Sequence, residues 1–167
     1  MADLLWTRGS RITFEPSGGT EPFTLTSLGS GAGRISDRYD LGAFPNGAHI
    51  SAQLRTEFAT APVAGEIIRI HLVEWFTHRD TNIYGVGALG ASDAAISTES
   101  LLNGVPQVGS IIVNDTSTTR DYVSPMIEVF TLAEYISWVV WNETADALSG
   151  TAGDHELAMW VNYVNSA

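Results

Sequence analysis

Four histidines, at positions 49, 71, 78 and 155, are the first side chains that could bind a metal or move a proton. A metal centre needs three or four converging ligands, each oriented by a further hydrogen bond. No His-x-His pair occurs, so the four read as surface histidines. His49 and His71 fall on the polar faces of two successive strands and are candidates for cross-strand neighbours. Asp80, Asn82 and Tyr84, followed by Gly85, open like a calcium loop, with oxygen ligands at alternate positions. The carboxylate due at the twelfth position falls on Ala91, which breaks the pattern. Asp154, His155 and Glu156 would make an acid–base cluster, but adjacent residues on a strand point to opposite faces. No Gly-x-Ser-x-Gly nucleophile turn is present, and Gly29–Gly33 resembles a phosphate-cradling loop in composition only, without the following lysine or helix. The tryptophans at 6, 75, 138, 141 and 160 would suit a sugar-stacking platform if exposed. Rings of that size more often fill a core or a subunit interface. Trp138 and Trp141, three positions apart, face opposite sides of a strand, and the strands carrying Trp138 and Trp160 are candidates for pairing.

These residues must be carried by strands. From Ala48 to Phe58 small or apolar residues alternate with His49, Ser51, Gln53, Arg55 and Glu57 without a miss. That period belongs to a half-buried strand of an antiparallel sheet. Similar signals mark 11–14, 23–28, 34–41, 66–75, 105–113, 118–130 with an interruption at Pro125, 135–141 and 155–164. In the last of these Leu157, Met159, Val161 and Tyr163 share one face. Tyr135–Trp141 is nearly all apolar, as expected of a central strand. Residues 76–103 are long, polar and without a clean period, and 91–102 predict a helical turn capped by Ser92. The sequence therefore predicts an all-β, antiparallel, jelly-roll-like β-sandwich of about eight strands. Residues 1–22 read as an extended N-terminal arm that packs on its own sandwich or on a neighbouring subunit, and 23–167 as the sandwich domain.

The 167 residues suffice for one domain with a core of its own. With no cysteine there is no disulfide or thiol chemistry. The start has no signal-peptide pattern, and no apolar run approaches the roughly 20 residues that span a bilayer. Net charge is −11, with arginine as the sole basic residue besides histidine. Such a chain is repelled by phosphate backbones, which disfavours nucleic acid as a partner. Residues 1–38 balance Arg8, Arg11, Arg34 and Arg38 against four acids, so the remainder carries the whole negative charge. That asymmetry suggests a neutral docking end and an acidic exposed end.

Ser27–Ala43 and Trp141–Leu157, two stretches rich in small residues and loops, resemble structural proteins encoded with the head genes of tailed bacteriophages. That group includes capsid decoration, or cement, proteins with a jelly-roll sandwich, and the similarity covers residues 23–164. It implies a virion component on the outside of the head shell, made in the host cytoplasm, without enzyme activity or cofactor. It also implies the major capsid protein as partner and a homo-oligomer, with a trimer favoured over a dimer. On that reading Leu4, Leu5 and Trp6 are apolar anchors, while Arg8, Arg11, Arg34 and Arg38 meet acidic capsid groups. The alternatives are a carbohydrate-binding sandwich on a phage fibre and a head–tail connector or tail subunit.

Overall fold

The structure, a computed structural model, describes residues 4–16, 19–42, 47–77, 83–84, 89–90 and 92–166, with backbone only at 4–8, 77, 83–84 and 163–166. It is a jelly-roll-like β-sandwich. Among the described residues, eight strands have four residues or more: β1 (Leu4–Glu15), β3 (Ala32–Ile35), β5 (Ala48–Thr56), β6 (Ile67–Thr77), β9 (Gln107–Ile112), β11 (Ile127–Thr131), β12 (Tyr135–Asn142) and β13 (Glu156–Ser166). Five shorter strands complete the sheets: β2 (Glu21–Pro22), β4 (Tyr39–Asp40), β7 (Ile83–Tyr84), β8 (Ala94–Ile96) and β10 (Tyr122–Val123).

The first sheet runs β10-β5-β13-β1-β2, with β11 also on β5; the second runs β7-β6-β12-β3-β8, with β9 on β6 and β4 on β12. Pairing is antiparallel except between β1 and β2. The long strands change sheets at every step except β6 to β9: β5 and β13 lie in the first, β6 and β12 in the second. This separates two expected pairs. His49 and His71 are not cross-strand neighbours, and Trp138 and Trp160 lie in different sheets, because each link between their strands crosses the sandwich.

β5 buries every second residue along its length, as its alternation requires. Its inward residues Ile50, Ala52 and Leu54 meet Leu157, Met159 and Val161 of β13, and Ile68, Ile70, Leu72, Ile136, Trp138 and Val140 of the second sheet. The other face of the second sheet is buried too. Val73, Trp75, Val139 and Trp141 pack under Leu89, Ile96, Leu102 and Val105 to form a second, smaller core. β12 is thus covered on both sides, which explains its unbroken apolar run. Trp138 and Trp141 do point to opposite faces, one into each core.

Two local expectations change. Phe23–Leu28 alternates and buries Phe23, Leu25 and Leu28, yet it is not a strand and turns at Thr26 and Ser27. Its backbone bonds partly within itself, Leu25 N–H to the Phe23 carbonyl and Leu28 N–H to that of Leu25, while Ser27 N–H donates to the Ser149 carbonyl. Where a helical turn over 91–102 is expected, residues 92–102 hold β8 and a 3₁₀ helix over Glu99–Leu102, whose N-cap is Thr98 rather than Ser92. The N-terminal segment is extended, as expected. It packs on its own sandwich: Leu4–Glu15 pairs with β13 from Leu4↔Ser166 to Phe14↔Leu157 and places Ile12 and Phe14 in the core.

Candidate binding face

The two outer faces of the sandwich differ. That of the second sheet lies beneath residues 89–90 and 92–105. Arg69 links the two layers, bonding Glu99 at 2.5 Å and also Glu143. Asp93 fixes the start of β8, accepting from Arg34 Nε at 2.5 Å and from the Thr24 backbone N–H at 3.2 Å. Burial opposes the charge on Asp93, but the hydrogen bonds from Arg34 and Thr24 win and hold its carboxyl below the usual range.

No such layer covers the outer face of the first sheet among the described residues. The strand registers align its outward side chains into rows. Arg11 of β1 stands opposite Trp160 of β13, which stands opposite Ser51 of β5, which stands opposite Glu128 of β11. Ala158 and Gln53 lie in the next row on one side, Asn162 and His49 in the next on the other. Trp160 is partly exposed at the centre. Around it the polar groups hold one another. Ser51 donates to Glu128 at 2.8 Å, Asn162 Nδ2 to Ser51 at 3.4 Å, and Gln53 Nε2 to the Ser124 carbonyl at 3.0 Å. Arg11 pairs with Glu156, and Arg55 with Asp121 at 2.9 Å. The result is a hydrogen-bonding surface, with exposed Phe130 opposite His49 and exposed Val123 opposite Arg55 at its β10–β11 margin.

The residues expected to dock do not form one patch. Leu4, Leu5, Trp6 and Arg8 lie on β1, but their side chains are outside the described residues. Arg11 is on the open face, with half its side chain exposed. Arg34 is bound to Asp93 on the second sheet, and Arg38 lies over the Tyr135 ring, 4.7 Å from its centroid. Arg34 and Arg38 are therefore engaged within the fold, because β3 and β4 belong to the sheet opposite β1.

The other chemical candidates resolve into structural roles. His71 lies under the covering layer, not on a wet face; Nδ1–H donates to the Val105 carbonyl at 3.3 Å, and Nε2 has no partner among the described residues. His155 is 1% exposed. Its Nε2–H donates to the Ser149 carbonyl at 2.8 Å, and its Nδ1 accepts from the Thr56 hydroxyl at 2.7 Å. Gly31 N–H donates to the Asn142 carbonyl, and Asn142 Nδ2 to the Leu28 carbonyl at 3.1 Å, so the glycine-rich loop is a turn tied to β12. His78 and most of the Asp80–Gly85 segment lie outside the described residues. Among the described residues no group of three or more His, Asp or Glu is placed to hold a metal ion. Trp75, Trp138 and Trp141 are buried. Trp160 and Asn162 extend the polar face in a way the sequence reading missed. The alternation of β13 already puts them opposite Leu157, Met159 and Val161; only the strand order sets them beside Ser51 and Gln53.

The chain is thus a β-sandwich in which, among the described residues, one sheet face is covered and the other is open. No family model and no curated protein matches it. Solved structures that overlap with it include the xylanase 10B carbohydrate-binding and catalytic modules of Clostridium thermocellum complexed with xylohexaose, at 7% identity and TM-score 0.35. That overlap takes in 96% of this chain and 26% of the xylanase structure, so the chain spans about a quarter of its length. Others are a carbohydrate-binding module specific for non-crystalline cellulose, at 15% identity and TM-score 0.33 over 81% of this chain and 66% of that one, and a family 16 carbohydrate-binding module, at 10% and 0.29 over 84% and 73%.

Proposed function

We propose that the chain is a non-enzymatic virion structural protein that decorates the outside of a tailed-phage head, docking on the major capsid protein through the open face of its first sheet. The observation that carries this reading is the unequal coverage of the sandwich. Among the described residues, one sheet lies beneath its own loop layer, while the other presents an ordered polar network around Trp160. Fixed side chains lose little further entropy on docking. A protein that binds only the assembled shell stabilises that shell by mass action. The loop segments 27–43 and 141–157 add the resemblance to head-gene proteins. Arg11 would exchange its Glu156 partner for a capsid carboxylate.

Co-sedimentation with expanded empty heads of the phage that encodes the chain tests this. The wild type is expected to pellet with heads to saturation, and Arg11→Ala and Gln53→Arg to weaken binding by about tenfold or more. A wild-type protein that stays in the supernatant ends the proposal.

Trp160 favours a second reading, a carbohydrate-binding module using the same face. A partly exposed indole beside Ser51, Gln53 and Asn162 offers a stacking surface flanked by hydrogen-bonding groups. Retardation in native gels containing soluble neutral polysaccharides, lost in Trp160→Ala, would support it; unretarded migration across the panel would remove it.

A further inference from the structure

The layer over the second sheet is not held evenly. Its first part is fixed: β8 pairs with β3, and Asp93 binds Arg34, the Thr24 N–H and, through its own N–H, Asp37. Its end is fixed as well, because the Leu72 N–H donates to the Pro106 carbonyl at 3.3 Å and His71 Nδ1–H to the Val105 carbonyl. Between them, residues 97–104 bond only to their own neighbours. The Leu101 N–H donates to the Thr98 carbonyl, that of Asn103 to Ser100 and that of Val105 to Leu102. Among the described residues no backbone hydrogen bond joins this stretch to a strand. The 3₁₀ helix at its centre has no side-chain cap. Leu102 is buried and Leu101 partly so, while 97–100, Asn103 and Gly104 are exposed. Among the described residues a single ion pair pins it, Glu99 on Arg69. Gly104, at φ +86° with open space where a Cβ would stand, ends it at a position free to swing. A segment with few buried contacts and only local hydrogen bonds opens before the rest of a fold does.

Polar groups lie beneath this stretch. Arg69 and His71 stand two positions apart on β6, so both face the covering layer. Arg69 divides its guanidinium between Glu99 and Glu143, and its buried Nε–H meets no partner among the described residues. His71 is 4% exposed. Its Nδ1–H is committed to the Val105 carbonyl, at the fixed end of the stretch, and its buried Nε2 meets no partner among the described residues. We propose that residues 97–104 form a flap that mild acid opens, with His71 as the trigger. A proton on Nε2 would place a positive charge, and an N–H without an acceptor, in a buried site. The charged groups that act on the ring are Arg69 on its own strand, Glu143 after β12 and Glu99 on the flap. Arg69 opposes the proton; the two carboxylates favour it, but Arg69 already engages both. Burial is the largest effect and pulls the pKa of the ring below the ordinary 6.5 while the flap is closed. An open flap lets water reach the ring and removes that penalty. The closed form thus binds the proton more weakly than the open form. Its stability is full above pH 6.5 and is lost as pH falls through the lowered pKa.

The flap covers the sheet opposite the docking face, so its opening and head binding are tested apart. Hydrogen exchange of the full chain across a series from pH 7.5 to 5.5, corrected at each pH for the intrinsic exchange rate, reads the opening directly. Protection at 99–105 is expected to fall from pH 6.5 to 5.5 by up to about tenfold, the limit for one proton over one pH unit. Because the opening is local and exposes little surface, exchange there should be indifferent to low urea, whereas exchange in β5 and β12 should rise with it. Glu99→Gln, at an exposed position, removes the pin and should lower the protection of 99–105 several-fold at pH 7.5 already, with the acid response kept. His71→Gln cannot take up the proton and should abolish that response, while His155→Gln should leave it as it is. Protection at 99–105 that stays level or rises in acid, a flap that follows urea as the core strands do, or protection unchanged by Glu99→Gln would each overturn the proposal. So would an acid response that survives in His71→Gln.

Discussion

The imidazole of His155 is held neutral by its surroundings. Burial, the largest effect, pulls its pKa below the ordinary value of 6.5, and the carbonyl of Ser149 only partly offsets that. With Nε2–H given to Ser149, Nδ1 must accept from Thr56, and a second proton would displace that hydroxyl. His71 is pushed the same way, again chiefly by burial. Both groups bind a proton more readily unfolded than folded, so stability is full above pH 6.5 and is lost as pH falls through the lowered pKa values. Each contributes a slope of up to about 1.4 kcal/mol per pH unit in that window. Denaturant unfolding between pH 7.5 and 5 should show this loss, and His155→Gln should remove one proton's share of the slope. An unchanged slope in the variant would mean that His155 does not titrate with folding. The histidines looked like surface groups because residue type and strand parity do not reveal a covering layer. His71 occupies the outward position its parity predicts, yet it is buried, with the Val105 carbonyl of the covering layer against its ring.

β3 shows the constraint that this layer places on an element. Gly33 lies beneath the Trp141 ring: an added Cβ would stand 2.5 Å from Cε3 of that ring and 3.3 Å from Cβ of Ile96. Gly33→Ala is therefore expected to cost about 1–3 kcal/mol through overpacking, read as a lowered thermal midpoint. Combining it with Trp141→Phe should recover part of the loss, because the two positions share one contact. An alanine variant as stable as the wild type would show that β3 and β12 can separate. Strand periodicity is readable where one face is wet, as in β5, and where flanking turns bound an apolar run, as in β12. It misleads at Phe23–Leu28, where alternate burial arises in a segment that is not a strand and closes the side of the sandwich. It also cannot report sheet assignment. The long strands change sheets at every step but β6 to β9, so residues on consecutive long strands seldom meet, and the polar face draws on β1, β13, β5 and β11.

Across the whole molecule, the placement of β1 decides how the N-terminal residues act. A neutral charge balance and the Leu-Leu-Trp opening suggest a docking arm, and both are facts of composition. Register tells more. β1 sits between β13 and β2, bulges between Arg8 and Arg11, and sends Ile12 and Phe14 inward. Removing residues 2–12 would strip the β13 edge of most of its β1 partners, expose the core at Ile12 and leave β2 paired to a remnant. Loss of one buried isoleucine alone costs about 2–5 kcal/mol, against a total of about 5–15 kcal/mol for a typical domain. The truncated chain is expected to melt at least about 6 °C below the full chain, or to lose cooperative unfolding. Any loss of head binding in that truncation would then reflect the damaged first sheet, which is why point substitutions on its outer face are the cleaner probe of docking. A truncated chain that melts with the full-length midpoint would restore the arm as a detachable element and return the docking role to residues 4–8.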